Sequence, residues 1–416
     1  MPMRSLLAAG ALALGLSTAT AAAVHAAPLT YEAALKAADQ SAPSLQAKAA
    51  DIRAARSSVI AAGRLPDPKL VVGVEGFPVS GPNALRPERD DFSDLRFGVI
   101  QDVPSRAKRQ AARDRAAADI GAAEAGDQVE ARTVRLNTAL AWVDLYYAER
   151  RLAALDEVEQ ALRPLHAAAP AQLASGASRP AQALEADQLT AALGDRRADM
   201  AAAIGRARAA LVRWTGDAQP EVSGAPPNYV VDPAKLRASV EDIPALRAYG
   251  AMSRQADADV SAAKADKHPD WSWELGYQHR DPRFGDMVML QATVSLPLFA
   301  STRQDPMIAA RAQTASRVRS EREAARRELA ATLDADLADH AMHHDRLHRA
   351  LETLVPLAKR RADLERASYA AGNATLADAL GAAASLADAR VDALSREADV
   401  VRDGVRITLT YGADSQ

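Results

Sequence analysis

The chain has 416 residues, 51 basic and 54 acidic side chains, and a net charge of −3. It carries no cysteine, which excludes disulfides, thiolate metal sites, cysteine nucleophiles and an N-terminal lipid on cysteine. Only 4% of residues are aromatic and alanine is abundant, a composition that suits long packed helices better than a thick globular core. No basic tract argues for a nucleic-acid partner.

The first segment reads as an export signal. Arg4 gives the positive start, "LLAAGALALGL" from Leu6 to Leu16 the apolar core, and "AVHAAP" a small-residue cleavage site after Ala26. An apolar core this short is a poor membrane span. Residues 1–26 are therefore expected to be removed.

The remainder is written twice. "SAPSLQA" corresponds to "DIPALRA", and Pro68 and Pro269 stand 201 residues apart in "RLPDPKLVVGVEG" and "DKHPDWSWELGYQ". Pro104 and Pro297 are 193 apart, because the first copy holds the longer insertion "GFPVSGPNALRPERDD". Gly176 and Gly372 are 196 apart, in "LASGASRPAQAL" and "YAAGNATLADAL". Each repeat is expected to open with one short helix; the first, over 27–216, then has a β-hairpin at about 69–103 and a helical hairpin with its tip near 176. A linker over 217–241 follows. The second repeat, over 242–416, has its β-hairpin at about 270–296 and its tip near 372.

Within each repeat the strands show period two. Leu70, Val72 and Val74, then Leu95, Phe97, Val99 and Val103, share one face in the first copy. Trp271, Trp273, Leu275 and Tyr277, then Val288, Leu290, Ala292, Val294 and Leu296, do so in the second, with Gln291, Thr293 and Ser295 opposite. Strands of about 8–10 residues fit a tilted crossing of a bilayer, with Leu95, Phe97, Val99, Trp271, Trp273, Leu275, Tyr277, Val288, Leu290 and Val294 facing lipid. A soluble hairpin packed on the helices is the alternative. Four strands do not close a barrel, and open edges do not sit in lipid, so the membrane reading requires oligomerisation.

The helices are long. From Ser105 to Ala174 the pattern predicts about 70 helical residues, roughly 105 Å. Leu155, Val158 and Leu162 fall at coiled-coil spacing, as do Leu347, Leu351, Leu354 and Ala358. Pro164 and Pro356 are expected to kink or interrupt their helices. Gly176 and Gly372 are expected to end one long helix and let the chain reverse, with Ser178 and Thr375 as N-caps of the returning helices.

In this order the pieces resemble the TolC-type outer-membrane efflux channels, the outer membrane factors of tripartite efflux systems. The resemblance rests on the signal, the duplicated strand and helix hairpins, "VPSRAKR" and "LPLFAST" after the second strands, and "YAAGNATLADAL" at the tip. It implies a mainly α fold with a small β part: duplicated helical hairpins forming an α-barrel tunnel, and four strands per protomer in a trimeric twelve-stranded barrel. It implies a homotrimer in outer-membrane lipid with a periplasmic tunnel, served by a periplasmic membrane-fusion adaptor and an RND-type inner-membrane efflux pump. "LPLF" before a polar turn is similar to the cobalt–zinc–cadmium heavy-metal branch. The family's tip acid corresponds to Asp378, six residues after Gly372; three further on stands Gly381 instead of a second acid. The matching position of the first tip is Gln182. Tyr369 corresponds to the family's tip tyrosine and is expected to hydrogen-bond Gln182 in a closed state. A protein-secretion exit channel of the same fold is the alternative function.

His340, His344 and His348 repeat every four residues, with His343 between them, and form a candidate metal stripe on one helix face. That stripe supports a second alternative, a periplasmic coiled-coil scaffold with a histidine metal site; a solvated or tunnel-facing polar stripe is the plainer reading. No catalytic triad, phosphate loop or paired-carboxylate site is legible, so neither an enzyme nor a cofactor is expected.

Overall fold

The computed structural model describes residues 28–174 and 180–412. The export signal and the first tip glycine, Gly176, lie outside them. Two short helices, α1 (Tyr31–Ser41) and α2 (Pro43–Ala61), precede strands β1 (Lys69–Glu75) and β2 (Asp94–Val103). The helical hairpin α3 (Arg106–Ala174) and α4 (Pro180–Thr215) follows. The same order then returns: α5 (Pro233–Ala238), α6 (Pro244–Ala265), β3 (Asp270–His279), β4 (Met287–Ser295), α7 (Gln304–Arg349), α8 (Val355–Ala370) and α9 (Leu376–Tyr411). Sequence reading expects one short helix before each strand pair. The structure has two, because Ala42 and Ile243 take extended backbone and Pro43 and Pro244 start fresh helices.

The four strands form one antiparallel sheet in the order β1-β2-β3-β4. The two hairpins meet along β2 and β3, where Val103 pairs with Trp271 and Leu95 with His279. β1 and β4 are left as the two edges within the protomer.

Helix α3 spans 69 residues, and α3, α4, α6, α7, α8 and α9 pack lengthwise. The three largest apolar clusters among the described residues hold the bundle. Below the sheet, Trp142, Tyr147, Leu145 and Leu211 are fully buried, with Tyr31 edge-on to Trp142 at 5.6 Å and the Trp142 indole donating to the Leu29 carbonyl. Leu246, Leu333, Ile407 and Tyr411 form the second cluster. Near the tip, Leu155, Val158, Leu162 and Leu193 bury against Leu376 and Leu380 of α9, which ties the two helical hairpins together. Burial of such side chains stabilises by about 1.5–3 kcal/mol each.

The two prolines behave differently. Pro164 lies inside α3 without a break in the element, so the expected interruption is absent there. A helix of 69 residues loses one hydrogen bond at that point and keeps the rest. At Pro356 the expectation of an interruption holds: a five-residue π turn, Ala350–Leu354, separates α7 from α8, and its wider spacing makes room for the ring. Within this turn Leu351 and Leu354, and after it Leu357 and Leu364, face outward, at 40–61% exposure, uncovered by the protomer's own helices.

Candidate functional site

Three features carry the chemistry: the two-faced sheet, the second helical tip, and a histidine–aspartate knot between α7 and α9.

The strand register lines up the apolar side chains into rows. Leu70, Val99, Leu275 and Leu290 form one row; Val72, Phe97, Tyr277 and Val288 form the next. Leu95 continues the face on one side; Trp273, and then the row of Val103, Trp271 and Val294, continue it on the other. All of these except the partly covered Val103 and Val294 stand exposed, from 37% at Leu95 to 75% at Leu70. So many large apolar side chains facing outward on one smooth surface mean that something apolar covers it. No helix among the described residues is long and apolar enough to cross a membrane.

The opposite face is polar and holds residues that sequence reading passed over. Arg96 reaches Glu75 at 3.1 Å and also pairs with Glu274. Gly98 and Gly276 face each other in register beneath this network. A side chain at Gly98 would press on the Glu274 carboxylate, whereas one at Gly276 would make ordinary contact with Met289 and Arg96. Lys69 pairs with Asp102 at 2.6 Å further along the same face. The signal was present: these charges alternate with the apolar residues. Their cross-strand partners become visible only once the register is known.

At the second tip, α8 ends in a Schellman turn. Gly372 has φ +78°, its N–H donates to the Tyr369 carbonyl at 3.0 Å, and the Asn373 N–H donates to the Ser368 carbonyl at 2.8 Å. Thr375 then caps α9, and Asp378 completes a capping box. The exposed carboxylate accepts from the Thr375 N–H at 3.0 Å and the Thr375 hydroxyl at 2.6 Å. Those bonds, the hydroxyl's first, hold the Asp378 carboxyl below the usual carboxylate range. Tyr369 packs on the apolar cluster of the tip. The expected pairing of Tyr369 with Gln182 falls on a side chain outside the described residues.

The histidine stripe does not gather. Eight residues advance a helix about 80° beyond two full turns, so His340 and His348 diverge around α7. His340 points between helices, with its ring perpendicular to that of His344 at 4.7 Å, whereas His344 and His348 are exposed. His343 makes the close contact: its Nδ1 lies 2.6 Å from Oδ2 of Asp403, a residue of α9 that is only 5% exposed. His340 Nδ1 is 4.0 Å from the same oxygen. Arg406 bridges Asp403 and Asp336, and the Tyr411 hydroxyl donates to Asp336 at 3.2 Å. Burial lowers the His340 pKa, helped by the neighbouring His344 and opposed by Asp403. Among the described residues, no three histidine or carboxylate side chains converge to hold a metal ion.

Residues 237–413, covering the second strand pair and helical hairpin, match the family described as outer membrane efflux protein. That match spans the second repeat of the chain. The fold of this chain is shared with solved channels over nearly its full length. CusC, solved in a study of folding and transmembrane channel formation, is 15% identical with a TM-score of 0.78, covering 92% of each chain. The outer-membrane channel OprN is 17% identical with a TM-score of 0.76, covering 92% of this chain and 90% of that one. The outer membrane protein VceC of Vibrio cholerae is 18% identical with a TM-score of 0.72, covering 93% and 97%. No curated protein matches the sequence.

Proposed function

We propose that three copies of this chain form an outer-membrane efflux channel: a twelve-stranded barrel continued by a helical tunnel into the periplasm. One observation carries the proposal. The four-stranded sheet has an apolar, exposed face and a charged opposite face, and its edges β1 and β4 are unpaired within the protomer. Unpaired edges cannot sit in hydrocarbon, so β4 of one copy pairs with β1 of the next and the ring closes. The apolar face then meets lipid, and the Arg96–Glu274–Glu75 network lines the water-filled interior. Residues 27–216 and 242–416 act as two repeats, joined by 217–241, so that six helical hairpins wall the tunnel. A periplasmic adaptor meets their tips, an RND-type inner-membrane pump supplies the solute, and residues 1–26 direct export. Asp378, repeated three times around the axis, sets the charge of the tunnel mouth. The resemblance of "LPLF" to the heavy-metal branch extends the reading to cobalt, zinc or cadmium as cargo.

The test is the state of the mature protein in cells. It should fractionate with the outer membrane, resist extraction by salt, and dissolve in detergent as a trimer. Recovery as a soluble periplasmic monomer removes the channel reading. Equal metal tolerance in cells with and without the protein, alongside its partner pump, removes the heavy-metal extension alone.

A further inference from the structure

The apolar face of the sheet ends, on the side of the helices, in the row Val103, Trp271 and Val294. Pro104 follows at once, and α3 begins at Arg106. At this junction lies an open cleft of about 570 Å³, lined among others by Val103, Arg106, Arg109, Gln110, His268 and Trp271. "SRAKR" puts three cations into the first turn of α3, where the helix dipole disfavours positive charge. Only the middle one is neutralised: Lys108 pairs with Asp270 at 2.5 Å and with Asp266 at 3.4 Å, which pins α3 to the foot of β3. Arg106 and Arg109 are not ion-paired among the described residues, and Nε of Arg109 is buried without a hydrogen-bond acceptor. Arg106 and Arg109, three residues apart, share one side of the helix. A desolvated guanidinium nitrogen without an acceptor costs stability unless an anion arrives to take the bond.

We infer that this cleft is a binding site for the phosphate of an anionic phospholipid in the inner leaflet of the outer membrane. The inference rests on the membrane reading above, which puts the Trp271 row at the lipid–water boundary. Three features select a lipid phosphate. Two unpaired guanidiniums offer planar, forked donors suited to phosphate oxygens. Trp271, stacked on Trp273 at 6.1 Å, is an amphipathic ring of the kind that sits at headgroup level. The cleft also opens onto the exposed apolar face, where acyl chains continue from the headgroup. A free phosphate would use the arginines alone and leave that apolar continuation unused. The bound lipid would fasten the hinge between sheet and helices, where otherwise the Lys108–Asp270 pair and the Ser105 N–H to Asp270 bond at 2.8 Å make the link.

The experiment uses the purified full-length mature protein, reconstituted into phosphatidylcholine vesicles with a minor fraction of phosphatidylglycerol brominated near the headgroup. Bromine quenches nearby tryptophan, and Trp271 and Trp273 are the exposed ones. Wild type should enrich phosphatidylglycerol at these rings over phosphatidylcholine by roughly tenfold or more, given about a fivefold gain per basic side chain near the surface. Arg106→Gln with Arg109→Gln should abolish the enrichment, and Arg106→Lys with Arg109→Lys should keep part of it. If the glutamine variant does not insert, the wild type is titrated with salt, which should erode the preference. Wild type that floats with the vesicles but shows no preference overturns the lipid site and leaves the channel reading standing. Wild type that fails to float overturns both. Loss of quenching on adding inorganic phosphate in place of salt assigns the cleft to a free anion, and the lipid inference falls.

Discussion

Thr375 and Asp378 cap each other: the Thr375 hydroxyl accepts the Asp378 N–H at 3.1 Å, and the Asp378 carboxylate accepts the Thr375 N–H at 3.0 Å. The residue assigned to the tunnel mouth is thus also the residue that starts α9. This double use makes the two roles separable by mutation. Thr375→Ala removes the cap and should cost about 1 kcal/mol of helix stability, seen as faster hydrogen exchange at the start of α9. Ion selectivity should stay unchanged. Asp378→Asn removes a charge from each protomer, and at a constriction of low dielectric that charge favours cations. Cation preference and block by multivalent cations should both fall in bilayer conductance measurements. Channels of Asp378→Asn with wild-type selectivity and block would reduce the residue to a helix cap.

The capping box also has a pH signature. The folded carboxyl of Asp378 titrates below its unfolded value. Its contribution is therefore complete above the unfolded pKa of about 4 and is lost as pH falls through the folded pKa. Exchange at the tip should accelerate only in strong acid, and Asp378→Asn should remove that dependence.

His340 works with the same sign in a different window. Burial lowers its pKa, so the unfolded chain binds more protons below its ordinary value of about 6.5. Stability in the α7–α9 contact is complete above that value and is lost as pH falls through the depressed folded pKa. The groups facing the ring are His343, His344 and Asp336 on α7 and Asp403 and Arg406 on α9; Asp403 offsets part of the cost. Protection of amides around Asp403, corrected for intrinsic exchange, should weaken as pH falls below about 6.5, and His340→Gln should flatten that slope. An unchanged slope in the variant would mean that His340 is not the group responsible.

Much of this was legible before the structure. The period-two faces of "WSWELGY" and "MVMLQATVSL" define β3 and β4 to within a residue or two, because one face must be apolar throughout. The break after Tyr369 was legible because only glycine takes φ +78° readily. What escaped was long-range pairing. Asp403 is 60 residues from His343, and Glu274 is 178 from Arg96. No local pattern links such partners; the packing of α7 on α9 and the register of β2 on β3 do. The histidine spacing misled for a related reason, since a four-residue repeat drifts around the helix and only the packed side finds a partner. Pro164 does not interrupt α3, because a proline's local cost does not fix where a long packed helix ends.

The two faces of β4 offer a direct comparison. Leu290, 71% exposed, lies in the apolar row with Leu275 and Val99, and Gln291 lies opposite Glu274 on the charged face. Leu290→Arg should cost about 2–4 kcal/mol if the row sits near the bilayer midplane, measured by reversible unfolding in lipid. Gln291→Arg should be tolerated, with an added cation in the lumen as its only trace in conductance. Equal costs at the two adjacent positions would mean that both faces meet the same medium, and the barrel assignment would be wrong.

Gly372 tests the tip by a purely conformational route. A Cβ built on it has no heavy atom within 4 Å, so space is not the constraint. Its φ of +78° is the constraint, and a β-branched residue there loses about 1–2 kcal/mol or more. Gly372→Val should therefore unseat the Schellman turn and shift Leu376 and Leu380 out of the cluster with Leu155, Val158 and Leu162. Gly372→Asn should be nearly neutral, because asparagine tolerates the left-handed region. The sheet is far along the chain from this turn, so Gly372→Val should still insert and form trimers in the outer membrane while export fails. The decisive pair of readings is cross-linking to the adaptor and trimer yield. Loss of cross-linking at normal trimer yield assigns Gly372 to the docking tip. Loss of both would make the turn part of assembly, and normal export in Gly372→Val cells would show that the tip geometry does not matter to the channel.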